Sequence, residues 1–266
     1  FAGSQAVVAS GTQTLAGGGG RPTMLAPETG YKLAFMHESA GALQSDVLVA
    51  DGFTTATILI GSAGGGGTNT ANPTVASGSV AVEVGDLIVA LSSEQSSSVT
   101  VTGVTDNLGN IYTAQNAGDV NSTTAGRAFY SIATNAGTLT AGNFAATASS
   151  NDIAVDVAVF KGPFSAIDVN PANRTDNTSS YTGEPTGTRA QASELVIGWL
   201  AAAAAGDTFS ASSPWTLAGS VVSGGLRRAA IAYLHVEDTS TVTPTFAGAA
   251  TGGLAVLGTL SFKRAV

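Results

Sequence analysis

His37 and His235 are the only two histidines in the 266-residue chain, and no cysteine accompanies them. His235 closes the stretch "AIAYLHVED", just ahead of Glu237 and Asp238. A His beside carboxylates can serve as base and orienter in a Ser-His-Asp hydrolase, whose members meet in space rather than in sequence. The Gly-x-Ser-x-Gly turn that would expose the serine is absent, and a strand-end His with solvated carboxylates explains the same residues. Glycoside cleavage needs two Asp or Glu facing across a cleft; among 18 acidic residues no pair stands out. Asp106, Asn107 and Asn110 in "VTDNLGN" offer oxygen ligands to calcium, but not at EF-hand spacing. They are also residues that tolerate left-handed backbone, so a turn accounts for them. Gly64 to Gly67 starts like a phosphate-binding loop, yet Thr68 and Asn69 stand where the lysine should follow. No catalytic, cofactor-binding or metal-ligating residue is assigned, and a non-enzymatic protein without a cofactor is expected.

The composition is that of a folded chain with little surface charge. Charged residues are 11% of the total, about half the usual share. Disorder would require few apolar residues and high charge, and neither holds. The absence of cysteine excludes disulfide scaffolds, thiolate zinc sites and cysteine nucleophiles. The net charge of −8 comes from scattered residues, and the basic clusters are limited to Arg227-Arg228 and Lys263-Arg264. Binding to a nucleic-acid backbone needs several cations on one face, so no nucleic-acid partner is expected. The apolar run "LVIGWLAAAAAG" (195–206) is shorter than the roughly 20 residues that span a bilayer, so no membrane partner is expected either. The chain opens on Phe1 rather than Met, as a processed or trimmed form would. Asn121, Asn173 and Asn177 begin glycosylation sequons, a short pattern that Ser/Thr-rich chains also produce by chance.

Two four-glycine runs, Gly17–Gly20 and Gly64–Gly67, read as flexible connectors. Residues 1–77 are therefore expected to form an extended Gly-rich arm or small β module, with 78–266 as the main domain. Within the arm, "TTATILIG" (54–61) reads as a strand, whereas "YKLAFMH" (31–37) fits a strand or a helical turn. From residue 78 onward short strands follow one another: "SVAVEV", "DLIVALSS", "SVTVTGV", "NIYTAQ" and "RAFYSIAT", bounded by Gly, Asn, Asp and Ser. That spacing predicts an all-β sandwich or barrel rather than βαβ units. Residues 163–190, rich in Pro, Asn, Asp, Ser and Thr, read as a surface crossover.

The chain also repeats itself. Tyr112, Tyr130, Phe144 and Phe160 are separated by 18, 14 and 16 residues; Trp215, Tyr233, Phe246 and Phe262 by 18, 13 and 16. "GDLIVALSS" (85–93) matches "SELVIGWLA" (193–201), and "VAVFKG" and "LSFKRA" end the two halves alike. One point resists the match. With Phe160 set on Phe262, the face Val155, Val157, Val159 meets Leu257, Thr259 and Ser261, although Val256, Leu260 and Phe262 make the more apolar face. Either a bulge shifts one strand by a residue, or both faces are buried. The expected architecture is a jelly-roll-like two-sheet sandwich built from two similar halves, about 78–162 and 188–264, each giving strands to both sheets. Two tandem immunoglobulin-like domains are the alternative.

The succession "GDLIVALSS", "VTDNLGNIYT", "AFYSIATNAG", "IAVDVAVFKG", "ASELVIGWLA" and "WTLAG" resembles a β-sandwich domain of bacteriophage structural proteins and some secreted bacterial proteins. The resemblance covers about residues 78–264 and leaves the N-terminal 77 outside it. It implies a structural protein of the virion, of capsid decoration or cement type, with a major capsid or other virion protein as partner. Self-association, for instance as a trimer, is implied as well. It carries no catalytic residues to transfer. The alternative is a carbohydrate-binding or adhesion module, secreted, at the cell surface or on a particle, or else a tail or fibre component. Sugar binding would need exposed aromatics; Trp199 and Trp215 read instead as core anchors, which leaves Tyr112 and Tyr181 as the other candidates.

Overall fold

The computed structural model describes residues 5–9, 11–15, 31–35, 38–39, 42–43, 48–53, 59–67, 74–75, 80–94, 101–115, 120–121, 124–139, 144–147, 153–176, 180–203, 209–223, 227–248 and 254–265. These residues are all-β, with antiparallel pairing throughout and no helix among them. The chain divides into two compact units, Phe1–Thr57 and Ile58–Val266. The first holds a four-stranded sheet in the order Gly11–Leu15, Gln5–Ala9, Tyr31–Phe35, Leu48–Phe53. "YKLAF" is thus a strand rather than a helical turn.

The second unit is built around two large sheets. One runs Thr113–Ala114, Thr124–Ile132, Leu87–Glu94, Ile153–Phe160, Leu59–Gly67. The other runs Phe164–Ile167, Ala255–Arg264, Glu194–Ala202, Arg227–Val236, Thr216–Ser223. Each draws its strands from one half of the sequence, which corrects the expectation that each half would feed both sheets. Strands close in sequence pair with one another because short connections keep them adjacent.

The two sheets follow one plan. Leu87 sits opposite Phe160, and Leu195 opposite Phe262. Val89 faces Tyr130 as Ile197 faces Tyr233, and Thr113 pairs with Tyr130 as Thr216 pairs with Tyr233. The register of Ile153–Phe160 and Ala255–Arg264 against their central strands is unbroken, so no bulge shifts one closing strand against the other. Phe160 and Phe262 are equivalent, and the apparent mismatch arises because both faces of these strands are buried.

That double burial follows from the layering. Leu87, Val89 and Leu91 of one central strand meet Leu195, Ile197, Trp199 and Ala201 of the other in a shared core between the sheets. Ile88 and Ala90 turn the opposite way and pack with Val80, Val82, Val101 and Val104. Val196, Leu200 and Ala202 likewise pack with Tyr181, Phe209 and Phe246 of a small outer sheet. A strand inside such a stack needs apolar side chains on both faces, which is why "LIVAL" and "ELVIGWLAA" run continuously rather than alternating. At the shared core, Tyr130 meets the edge of Phe262 at 5.1 Å between ring centres, and Phe160 meets Tyr233 at 5.4 Å. Each half gives its Tyr to the other's Phe. The contact has the reciprocity of a two-fold interface, here within one chain.

Two sequence assignments change. Gly64–Gly67 is the end of a strand, paired residue for residue with Ile153–Asp156, rather than a connector. Glycine normally weakens a strand, but here the backbone of a fully buried neighbour supplies the ladder and Thr216–Ser223 of the other half packs against it. The segment 163–190 is not a plain crossover: Phe164–Ile167 and Arg174–Asp176 pair with Ala255–Arg264, and Ser180–Thr182 joins the outer sheet. The second half therefore starts near Phe164. Gly17–Gly20 lies outside the described residues.

Truncating Phe160 to Ala removes a ring that is fully buried at this contact, and should cost about 3–5 kcal/mol by denaturant titration. In a double-mutant cycle with Tyr233→Leu, the two rings should show a coupling of about 0.5–1.5 kcal/mol.

Candidate functional site

A cluster of ionisable residues gathers at one end of the second large sheet. Its ladder sets Glu194, the first residue of the central strand, between Val236 on one side and Lys263 on the other, and sets Leu195 opposite His235. Ser193 precedes that strand with φ of 61°, a left-handed conformation that costs a side-chain-bearing residue about 1–3 kcal/mol. The matching residue of the first half is Gly85, with φ of 89°.

Ser193 Oγ lies 3.2 Å from His235 Nε2, and His235 Nδ1 lies 2.9 Å from Glu237 Oε1. This is the order of contacts in a nucleophile–base–orienter relay. The fold thus brings His235 and Glu237 together, as the sequence allows, and adds Ser193, which no motif marked. The orienting carboxylate, however, is 74% exposed and the imidazole 26%. Water screens such a pair, whereas the acid of a working triad is buried. Cross-strand neighbours at a strand end account for the contacts.

Behind this row the charges are buried. Glu194 and Arg189 are both fully covered, with Arg189 Nε 3.9 Å from Glu194 Oε2. Arg189 Nη2 donates to the carbonyl of Asp238 at 2.7 Å. Asp168 is 7% exposed; its Oδ1 is 2.8 Å from Lys263 Nζ, and its Oδ2 accepts the Ala190 N–H at 2.6 Å. Burial pushes Glu194 above its ordinary value, and neighbouring Asp168 adds to the shift. Burial also works to raise Asp168, but the hydrogen bonds from Lys263 and Ala190 outweigh it and hold the carboxyl below its usual range. Lys263 is raised in turn by its bond to Asp168.

The first half keeps the same frame with different chemistry. Asp86 replaces Glu194 and Lys161 replaces Lys263 in the repeat, with Lys161 Nζ 3.7 Å from Asp86 Oδ1 and ion-paired to Glu83. Asp86 is used up by backbone: it accepts from Glu83 N and Gly162 N, both at 2.8 Å.

No protein family, curated protein or solved structure matches the chain.

The other sequence candidates lie elsewhere. Asp106 spends both oxygens inside its own turn, accepting from Leu108 N, Asn110 N, Asn110 Nδ2 and the Tyr112 hydroxyl. Trp199, Trp215 and Tyr181 are buried, and Tyr112 is half-buried against the first-half core, so these four make no exposed platform. Asn173 accepts from Gln115 through its carboxamide oxygen. Arg227 and Arg228 are buried in their strand. His37 and Asn177 lie outside the described residues.

Two more buried acids escaped sequence reading. Asp156, 1% exposed within "IAVDVAVF", faces the second half beside Gly219; burial drives it well above 3.8, and its Oδ2 has no hydrogen-bond partner. Glu94, also 1% exposed, is pushed by burial from 4.5 to about 7, although Val101 N–H, the Ser92 hydroxyl and the charge of Arg127 offset part of the shift. For Asp156 a charged residue interrupting an apolar strand was the available signal, whereas Glu94 ends its strand after two serines and carries none.

Two outcomes follow. Ser193→Gly relieves the left-handed strain as Gly85 does, and should raise stability by about 0.5–1 kcal/mol in chemical unfolding. For Glu94 the folded state favours the neutral acid. Its contribution is complete below 4.5 and is lost as pH rises through about 7. Relative to Glu94→Gln, the native chain should lose on the order of 3 kcal/mol across that window in pH-dependent unfolding.

Proposed function

We propose that the chain is a non-enzymatic structural protein of a phage particle, a capsid decoration or cement protein that stabilises the shell. The observation that carries this reading is the use made of the polar groups. The buried acids and the Asp106 turn lie within the β-stack and its turns, and the His235 row fits a strand-end contact. What remains is a stiff body of low charge. The sequence resemblance to phage β-sandwich proteins supports the same assignment, as does the all-β, antiparallel architecture.

In this reading the large sheets supply the rigid block and their outer strands supply attachment. Leu59–Gly67 and Thr216–Ser223 each end a sheet and pair on one side among the described strands. Adding a partner strand to such an edge gives affinity through backbone hydrogen bonds without a specialised pocket. Many copies engaging a repetitive lattice multiply a weak contact. The N-terminal β unit gives each copy a second module with which to reach a major capsid protein or another copy of itself. The sugar-binding alternative has no support from the four aromatics it would use.

Quantitative mass spectrometry of purified particles checks the assignment. The chain should be present in intact virions at a copy number comparable with the capsid lattice; absence, or a handful of copies, rejects the decoration role.

A further inference from the structure

Lys263 lies between two carboxyl groups carried by different strands. Asp168 directly follows Phe164–Ile167, the first strand of the second large sheet, and Lys263 lies in Ala255–Arg264, its last. Glu194 opens the central strand on the other side, paired with Lys263 in the ladder. We propose that Lys263 and Asp168 condense into an intramolecular isopeptide bond, with Glu194 carrying the proton.

The reacting groups are already in place. Lys263 Nζ is 2.8 Å from Asp168 Oδ1, so the amine already stands against the carboxyl group it would attack, the proximity that an intramolecular condensation needs. Both the carboxyl and the backbone that carries it are held. Ala190 N–H binds its second oxygen, Asp168 N–H donates to the Ser261 carbonyl at 2.8 Å, and Val169 N–H donates to Ser261 Oγ at 3.1 Å. Glu194 is the unexplained member. It is fully buried, with the Ser261 hydroxyl, the Gln191 N–H and the Asp168 carboxyl as its polar neighbours, and Arg189 no nearer than 3.9 Å. A fold that needed only packing there would be better served by an apolar side chain. A carboxyl whose burial favours the protonated form, set beside Asp168 and Lys263, is however suited to proton transfer between nitrogen and oxygen.

The step balances without a further reactant. One proton moves within the resting ion pair from Nζ to the Asp168 carboxylate, which leaves a neutral amine and a neutral acid. The Nζ lone pair attacks Cγ and the C–N bond forms. Glu194 takes a proton from the nitrogen and delivers one to the departing hydroxyl; the C–O bond breaks and water leaves. Nothing is oxidised or reduced, and Glu194 ends as it began. Lys263, 30% exposed, leaves the product water a way out.

The first half provides an internal control. Lys161 occupies the equivalent position, but the strand that would hold its Asp is Leu59–Gly67, "LIGSAGGGG", which has no carboxylate. The bond therefore belongs to the second half alone. There it would tie the first strand to the last, so that this sheet could not be pulled apart from its ends, and it would constrain the unfolded chain as a long-loop disulfide does. The inference does not depend on which assembly the chain joins.

Intact mass and peptide mapping of the purified, folded chain decide the matter. The expected result is a mass lower than that of the sequence by one water, with a branched peptide joining the fragments that carry Asp168 and Lys263. Lys263→Arg and Asp168→Ala should each restore the full mass. Glu194→Gln should stay unbonded while keeping the β-type circular dichroism of the native chain. Full mass with two separate peptides in the folded native chain overturns the proposal, as does a water loss that maps to other residues. A bond that forms equally well in Glu194→Gln overturns the role given to Glu194.

Discussion

The structure of Ile58–Val266 rests on the face-to-face contact of its two large sheets. Four rings mark it, Tyr130 against Phe262 and Tyr233 against Phe160, each half supplying one of each kind. Because the residues are equivalent in the repeat, the contact is nearly self-complementary, and the same sequence pattern written twice generates both sides of it. The consequence runs through every central strand. A sheet that packs on a partner and also on its own outer sheet has no solvated face, so its strands are apolar at consecutive positions. The contact is further keyed by polar groups: the Trp199 indole N–H donates to Gln115 of the other half, and Gln115 donates in turn to Asn173 and to the carbonyl of Thr259. A Cβ at Gly258 would overlap the Trp199 ring, so the opposite strand leaves that position empty.

So thick an apolar interior restricts where charge can go. Acids inside it, Asp156 and Glu94, hold their protons well above the usual carboxylate range because the ionised forms lose hydration that the fold does not replace. At the ends of the sheets the two halves solve one problem differently. The short Asp86 turns back and satisfies the N–H groups of Glu83 and Gly162. The longer Glu194 stands at the same repeat position but reaches Arg189 and the Asp168–Lys263 pair instead. One methylene group and a different neighbouring strand turn a backbone cap into part of a buried charge cluster.

Much of the local structure follows from the sequence alone. Short apolar runs such as "LIVAL" and the Asp156-interrupted "IAVDVAVF" specify strands because they are short, rich in β-branched residues and bounded by turn-forming residues, and Asp106 with its Asn neighbours specifies a turn because its carboxylate satisfies the N–H groups of that turn itself. The aromatic spacing determines the repeat, and with it the equivalence of Phe160 and Phe262. Tertiary structure alone decides the rest. Whether Gly64–Gly67 is a connector or a strand depends on a neighbour about ninety residues away, Ile153–Asp156, since glycine has no side chain to announce its partner. Which sheet each half joins, which of two apolar faces meets the other half, and the meeting of Ser193 with His235 or Lys263 with Asp168 are set by register between strands distant in sequence. A pattern of period two states that a strand has two faces. Only the partner across the interface states which face is which.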